Sequence, residues 1–330
     1  MHRAGALAPA DYNRRVRNSG RSGLAVLVLA AAASLAAEEG RRIGDFTIRD
    51  ARVDASDIVA GGPGRDGIRS VDAPRFAAPA DAGWAGSDTE VLGVALGGEA
   101  HAYPVRMLEF HQIVNDGLGG VPVAVTYDPL TGTPLAFDRR VEGRTLSFGV
   151  SGLLYNSNFL LYDRETESLW SQFLGRAIAG PLAGRVLRRI PVRQETTRSW
   201  LERHPDSGIL RHPMPEHIEY RVSPYQAYWV DEKIVAPVAA RDPRYHAKEL
   251  TLGVVVDGVA RAYLGSIVTR EGGAVDEEFR GKRIRIAYDS ATGTFSWDMP
   301  EGVEFVESYW FAWKAFHPDT EIWRDELPAS

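Results

Sequence analysis

The sequence predicts a β-rich α+β protein made of two unequal homologous halves that pack together. Three observations predict it: a hairpin pattern occurs twice, a turn after a β-like run occurs twice at nearly the same separation, and few segments have helical periodicity. The apolar share of 44% and the charged share of 25% are typical of a soluble globular protein with a sizeable core.

The hairpin pattern runs from Leu92 to Tyr103 and again, without a gap, from Leu252 to Tyr263, 160 residues later. Gly-Gly interrupts the first copy and Asp-Gly the second. These dipeptides favour a type I′ turn, in which both central residues need positive φ. We therefore expect a β-hairpin in each half.

The turn Tyr-Asp-x-x-Thr-Gly-Thr occurs at 127–133 and, 161 residues later, at 288–294. The sequence Trp-x-x-x-His-Pro-Asp closes each copy, but at a separation of only 113 residues. The second copy therefore lacks a segment that corresponds to Leu146 through about Gln194. We predict a first repeat over 38–210, a connector over 211–233 and a shorter second repeat over 234–330.

The first 37 residues are predicted to be a signal peptide. A basic stretch with Arg14, Arg15, Arg17 and Arg21 precedes an uncharged apolar run over 24–33, and small residues at 34 and 36 suit cleavage near Ala37. The run is shorter than the roughly 20 residues that cross a bilayer, although an uncleaved anchor is the alternative. We expect a periplasmic or secreted protein with no transmembrane segment in the mature chain.

The net charge and the absence of cysteine argue against several classes of function. A net charge of −6 argues against general nucleic-acid binding, which needs a basic surface. The chain has no cysteine, and this excludes disulfides, thiolate nucleophiles, CxxC redox pairs and thiolate metal sites.

Local patterns place the remaining elements. Strands are expected at 121–127 and 283–288, and a further hairpin is expected from runs over 153–162 and 168–173. Helices are predicted over Val105–Val114, Thr196–Arg203 and Glu307–Phe316.

Several longer segments resemble the DUF3179 family, a family of domains of unknown function, over Ile58 to His317. They are Gly61–Gly67, Ala102–Arg106, His111–Asp116, Tyr127–Thr133, Phe148–Ser157, Tyr162–Arg164, Ser168–Gln172 and Gly180–Gly184. The resemblance implies an exported bacterial or archaeal protein and supplies no biochemical function. The family's turn is typically Tyr-Cys-Pro-Leu-Cys-Gly-Thr, and Asp128 and Thr131 replace its cysteines here. A thiol redox or copper role is therefore not transferred to this chain.

Residues present in both halves are expected to serve the shared scaffold. Asp128 and Asp289 are predicted to accept backbone N–H groups in an Asx-type turn, and His204 and His317 to cap helix ends. His101 aligns with Arg261 and is predicted to lie at the surface.

Polar residues present only in the first half are freer to be functional. If 105–114 and the residues after it are helical, His111 and Asn115 share one helix face, and the position equivalent to His111 is Gly272. An ordinary structural histidine is the equal alternative. The unduplicated segment adds hydrogen-bonding groups that suit a pocket, or else an ordinary turn and core positions. They are Ser151, Tyr155, Asn156, Ser157, Asn158, Trp170 and Gln172.

We therefore predict a protein that binds a small polar ligand or a partner between the 105–116 segment, the 127–133 turn and the 151–172 segment. The candidate ligand-binding residues are His111, Asn115, Asp128, Thr131, Ser151, Tyr155, Asn156, Trp170 and Gln172. One alternative is a hydrolytic or metal-dependent enzyme using His111 and Asp128; the other is a protein that has lost a cysteine-dependent metal or redox activity. No cofactor is predicted, and a divalent metal belongs only to the enzyme alternative.

Overall fold

The computed structural model describes residues 40–212 and 220–325, so the predicted signal peptide lies outside the described residues. Strands account for 43% of the described residues and helices for 13%, which confirms the β-rich class. The five larger sheets have three to five strands each and form a five-bladed, propeller-like arrangement. The sequence patterns did not predict this arrangement.

The strands and helices have the following bounds. In chain order the strands are β1 (Arg41–Ile43), β2 (Phe46–Ile48), β3 (Ile58–Ala60), β4 (Phe76–Ala77), β5 (Glu90–Leu96), β6 (Glu99–Pro104), β7 (Ile113–Leu118), β8 (Val121–Asp128), β9 (Thr133–Asp138), β10 (Arg140–Val141), β11 (Arg144–Thr145), β12 (Phe148–Tyr155), β13 (Asn158–Asp163), β14 (Leu169–Ser171), β15 (Arg176–Ala179), β16 (Arg189–Ile190), β17 (Arg193–Thr196), β18 (Gly208–Leu210), β19 (Leu250–Val256), β20 (Val259–Leu264), β21 (Ala274–Phe279), β22 (Lys282–Asp289), β23 (Thr294–Asp298), β24 (Glu304–Tyr309) and β25 (Glu321–Ile322). The α-helices are α1 (Val105–His111), α2 (Thr197–Arg203), α3 (Gln226–Trp229), α4 (Gly265–Arg270) and α5 (Trp310–Phe316).

Three blades come from the first part of the chain and two from the second. The first three have the strand orders β17-β5-β6-β18-β4, β16-β9-β8-β7 and β15-β14-β13-β12-β3. The other two have the orders β24-β19-β20-β25 and β21-β22-β23. The largest core cluster contains Trp170 from the third blade and Trp313 from the helix beside the fourth. One continuous apolar core therefore joins both parts.

The two predicted hairpins are present. β5 pairs with β6 through Gly97 and Gly98, and β19 pairs with β20 through Asp257 and Gly258. All four turn residues have positive φ, as a type I′ turn requires.

An indole covers the middle of an inner strand, β5 or β19, in each of these blades. A Cβ at Gly93 would lie 2.2 Å from Trp200, and a Cβ at Gly253 would lie 2.1 Å from Trp313. Both glycines therefore let a helix, α2 or α5, approach its sheet closely.

The three predicted helices are present, and two of them differ from their predicted bounds by three residues. α1 ends at His111, three residues before the predicted end, because Gln112 takes the left-handed conformation and β7 begins at Ile113. α5 begins at Trp310, because the chain before it is strand β24. α2 begins one residue later than predicted, at Thr197, because Thr196 is its N-cap and accepts the N–H of Ser199. Among the described residues, no helix has the length and apolar character needed to cross a membrane.

Candidate functional site

The Asp128 carboxylate lies at the end of β8 and is fully buried. It accepts hydrogen bonds from Leu130 N (2.9 Å), Thr131 Oγ1 (2.8 Å), Asn158 Nδ2 (2.7 Å) and Phe159 N (3.0 Å). Burial raises the pKa of Asp128 to about 6, and these four hydrogen bonds act in the opposite direction. The group therefore ties the turn to the start of β13.

Gln172 and Thr131 belong to the same buried network. Gln172 Nε2 donates to Thr126 Oγ1 (3.1 Å) and to the carbonyl of Thr133 (2.9 Å). Its Oε1 accepts from Asn158 Nδ2 at 2.8 Å. Three predicted residues, Asp128, Thr131 and Gln172, thus come together, but each is almost completely buried and already bonded.

His111 is held by two partners at the end of α1. Its Nδ1 lies 2.8 Å from the carbonyl of Arg69, and its Nε2 lies 2.7 Å from Tyr220 Oη. Burial lowers the pKa of His111, so its neutral form is favoured. Within the ranges the structure describes, no hydrogen bond or ion pair joins His111 to Asp128. No three His, Cys, Asp or Glu side chains there form a group that could hold a metal.

Asn115 lies in β7 and not on a helix, so its predicted position on one helix face with His111 is wrong. The helix ends before it, because Gln112 leaves the helical conformation. The Asn115 amide pairs with both backbone groups of Phe148 and donates to Asp72 Oδ1 at 2.7 Å. It joins β7, β12 and the 69–72 segment.

The polar side chains of the unduplicated segment also have internal partners. Ser151 Oγ donates to the carbonyl of Leu160 at 2.6 Å, and Trp170 Nε1 donates to Asp163 Oδ2 at 2.9 Å. Asn156 Oδ1 accepts from Ala239 N at 2.9 Å. Tyr155 makes an edge contact with Phe316.

The predicted run over 153–162 is itself a hairpin. β12 pairs with β13 through Asn156 and Ser157, which have φ of 51° and 61°. This is the ordinary-turn alternative for these residues.

A partly open cavity of about 260 Å³ lies beside this network. It lies where the end of α1, the 127–133 turn and the β12–β13 hairpin meet, and the 61–68 segment and the chain from Tyr225 to Val235 form its other walls. We call it the connector cavity; it is lined by Gly61, Gly62, Pro63, Ile68, Gln112, Leu130, Val150, Gly152, Leu153, Leu154, Phe159, Tyr225, Tyr228 and Val235. None of the nine predicted ligand-binding residues lines it, although several are sequence neighbours of residues that do.

The lining is apolar except at Gln112 and the two tyrosines. Gln112 Nε2 donates to Tyr225 Oη at 3.4 Å, and Tyr228 Oη donates to the carbonyl of Leu130 at 2.9 Å. Gln112 Oε1 is buried and has no hydrogen-bond partner among the described residues. A buried, unpaired oxygen is unusual, because most buried polar groups are bonded.

The connector contributes residues that the sequence analysis did not consider. Trp229 Nε1 donates to the carbonyl of Pro129 at 3.0 Å. The ring of Tyr228 also packs against Lys248, which lies beyond the connector, with Lys248 Nζ 3.5 Å from the ring centre. The only sequence signal is the concentration of Tyr220, Tyr225, Tyr228 and Trp229 in a short stretch. Tyr228 and Trp229 hold the connector against the Asp128 turn, and Tyr220 and Tyr225 hold it against the end of α1.

His101 is not simply a surface residue. Its Nδ1 lies 2.8 Å from Asp116 Oδ2, which also accepts from Tyr103 Oη at 2.6 Å, and Phe76 stacks on its ring. The second half has the same arrangement with an arginine, because Arg261 and Tyr263 both bond Glu277. The shared arrangement indicates a scaffold role for the His101–Asp116 pair.

The chain matches one known family model. The model is described as a protein of unknown function (DUF3179), and it matches residues 65–300. No curated protein and no solved structure matches the chain. The matched range includes every cavity-lining residue except Gly61, Gly62 and Pro63.

Proposed function

The chain belongs to the DUF3179 family, and we propose that this member, exported as its N-terminal segment predicts, binds a small molecule in the connector cavity. The observation that carries the proposal is the cavity itself, which five separate segments enclose and whose lining is largely apolar. Apolar concavities with few polar groups are the usual form of a small-molecule site.

The size of the cavity limits the ligand. Sites for drug-sized molecules measure roughly 300–1,000 Å³, and the connector cavity, at about 260 Å³, lies just below this range. We therefore propose a compact ligand that buries most of its surface against apolar side chains. The sequence-based expectation of a polar ligand is modified accordingly, because the predicted polar residues bond to one another or to the backbone.

Substitution at the rim tests this function without disturbing the core. Val235 lines the cavity and is about half exposed, so Val235→Trp should fold and fill the space. Val222 is an exposed valine of the connector that does not line the cavity, and Val222→Trp is the matched control.

We expect compact apolar compounds to raise the thermal midpoint of the wild type and of Val222→Trp, and not that of Val235→Trp. The measurement is a thermal-shift screen of all three proteins. A hit that stabilises Val235→Trp as much as the wild type would show that the compound binds elsewhere, and the proposal would fail.

We also propose that the chain arose by duplication of one unit, as the repeated sequences indicate. The order hairpin, helix, then a three-stranded meander occurs at β5-β6-α1-β7-β8-β9 and again at β19-β20-α4-β21-β22-β23. Each copy also ends in a helix whose indole covers a strand glycine. The extra blade β15-β14-β13-β12-β3 belongs mainly to the segment that the second copy lacks.

A further inference from the structure

We propose that the ligand of the connector cavity is electrically neutral and carries a hydrogen-bond donor that Gln112 Oε1 accepts. This inference rests on the proposed binding function and goes further by assigning the chemical class of the ligand and the residue that recognises it.

The lining requires a neutral ligand. No lysine, arginine, histidine, aspartate or glutamate lines the connector cavity. An ionic group placed there would lose its hydration and gain no countercharge, which is strongly unfavourable. Acidic or basic analogues of a neutral ligand should therefore bind weakly.

Gln112 supplies the acceptor. Its Nε2 is bonded to Tyr225 Oη, and its Oε1 is buried without a partner among the described residues. The hydroxyl of Tyr228 already donates to the backbone of Leu130. A ligand O–H or N–H would satisfy the Gln112 oxygen and remove the free-energy penalty of leaving it unpaired.

The backbone holds Gln112 in an uncommon conformation. Its φ is 58°, its N–H donates to the carbonyl of Leu108 (2.6 Å), and its carbonyl accepts from Tyr127 N (2.9 Å). Glycine would adopt this conformation with less strain, so a large side chain here indicates a use for that side chain. The two backbone hydrogen bonds also fix the point from which the Gln112 side chain leaves the backbone.

The volume of the cavity narrows the class of ligand further. An apolar cavity of about 150 Å³ accommodates a benzene ring, and this one measures about 260 Å³. A single ring with small substituents fits this volume. We infer a neutral, ring-sized molecule with one hydroxyl or N–H group.

Three probes of nearly equal shape test the inference. They are 4-methylphenol, which has a donor; 1,4-dimethylbenzene, which has none; and 4-methylbenzoate, which is charged. Dissociation constants are measured by calorimetry for the wild type, Gln112→Leu and Gln112→Met. Gln226→Leu is the control, because it makes the same replacement at an exposed connector residue that does not line the cavity.

We expect the preference for the phenol over dimethylbenzene to fall about tenfold in Gln112→Leu and Gln112→Met, which corresponds to the loss of one hydrogen bond to a buried acceptor. Gln226→Leu should keep the wild-type preference, and 4-methylbenzoate should bind the wild type much more weakly than either neutral probe.

The outcomes distinguish a failure of the proposed ligand class from a failure of the proposed binding function. An unchanged preference in the Gln112 variants, or tight binding of the benzoate, overturns the ligand class and leaves the binding function standing. If none of the three probes binds the wild type, the proposed function itself fails for ligands of this size. Since the comparison of phenol with benzoate needs only the wild type, the neutral-ligand part is tested even if a Gln112 variant does not fold.

Discussion

The Asp128 side chain is a carboxylate surrounded only by donors. Four N–H and O–H groups point at it, and it has no contact with solvent. In Asp128→Asn, the new NH₂ group would face donors and leave at least one of them unpaired. We expect the free energy of unfolding to fall by about 2–4 kcal/mol, measured by urea denaturation.

The second half provides the matched control for this change. Asp289 occupies the equivalent turn position, accepts the N–H of Ala291 at 2.9 Å and is exposed to solvent. Asparagine can accept the same bond, so Asp289→Asn should leave stability almost unchanged. If both variants lost equal stability, the burial of Asp128 would not be the reason for its importance.

Comparing Asp128 with Asp289 shows that the sequence could predict the turn around each residue but not the burial of its carboxylate. The Asx-type turn follows from local sequence and forms in both copies. Burial follows from a distant segment: Asn158 and Phe159 of β13 donate to Asp128, and the second half has no equivalent strand. Nearly identical heptapeptides therefore have opposite environments.

At the scale of elements, the repeated strand–helix contact allows a direct prediction. Gly93→Ala and Gly253→Ala would each place a Cβ against a buried indole, that of Trp200 or Trp313. The helix would have to move away, and we expect each variant to lose about 2–3 kcal/mol of unfolding free energy. Thermal or urea denaturation measures both losses.

Gly117→Ala is the control for those two variants, because no atom lies within 4 Å of its added Cβ and it also lies in a strand. It should change stability by no more than about 0.5 kcal/mol. A large loss in Gly93→Ala with none in Gly253→Ala would argue against the two contacts being equivalent, and so against duplication.

Element ends were harder to predict than element types. The apolar pattern continues through Val114, so the sequence favoured a helix there, yet α1 ends at His111. Glycine or asparagine usually marks such an end, and Gln112 takes the left-handed conformation instead. Because the helix was predicted to be too long, Asn115 was assigned to a helix although it lies in β7. For the same reason Gln112, on which the ligand proposal depends, was not recognised.

At the scale of the whole molecule, the cavity has no local sequence signature. Its walls come from segments near 61–68, 112, 130, 150–159 and 225–235. The sequence predicted a pocket between the 105–116 segment, the 127–133 turn and the 151–172 segment, and Gln112, Leu130 and Gly152 from these segments line the cavity. The sequence analysis did not predict the apolar lining, because it considered only polar side chains as ligand contacts. It also treated the aromatic connector only as the segment between the two repeats.

Two carboxyl groups, those of buried Glu109 and partly buried Glu307, should make stability depend on pH in a defined direction. Burial raises the pKa of Glu109 to about 7 and that of Glu307 to about 8. In the unfolded chain both ionise near 4.5, so the folded state binds more protons between that pH and the raised values. Their contribution is complete below about pH 4.5 and is lost as pH rises through 7 to 8.

Most of the test window lies above the range in which histidines titrate in the unfolded chain. Burial lowers the pKa of His111, His204 and His317, which are half protonated near pH 6.5 in the unfolded chain, so their destabilising contribution fades by about pH 7.5. From pH 6.5 to 8.5 we therefore expect the free energy of unfolding to decrease by about 1–3 kcal/mol, measured by urea denaturation at constant ionic strength. Glu307→Gln should flatten this slope, because a glutamine does not ionise. Stability that instead rises across this window in the wild type would mean that the two carboxyls are ionised in the folded protein at neutral pH.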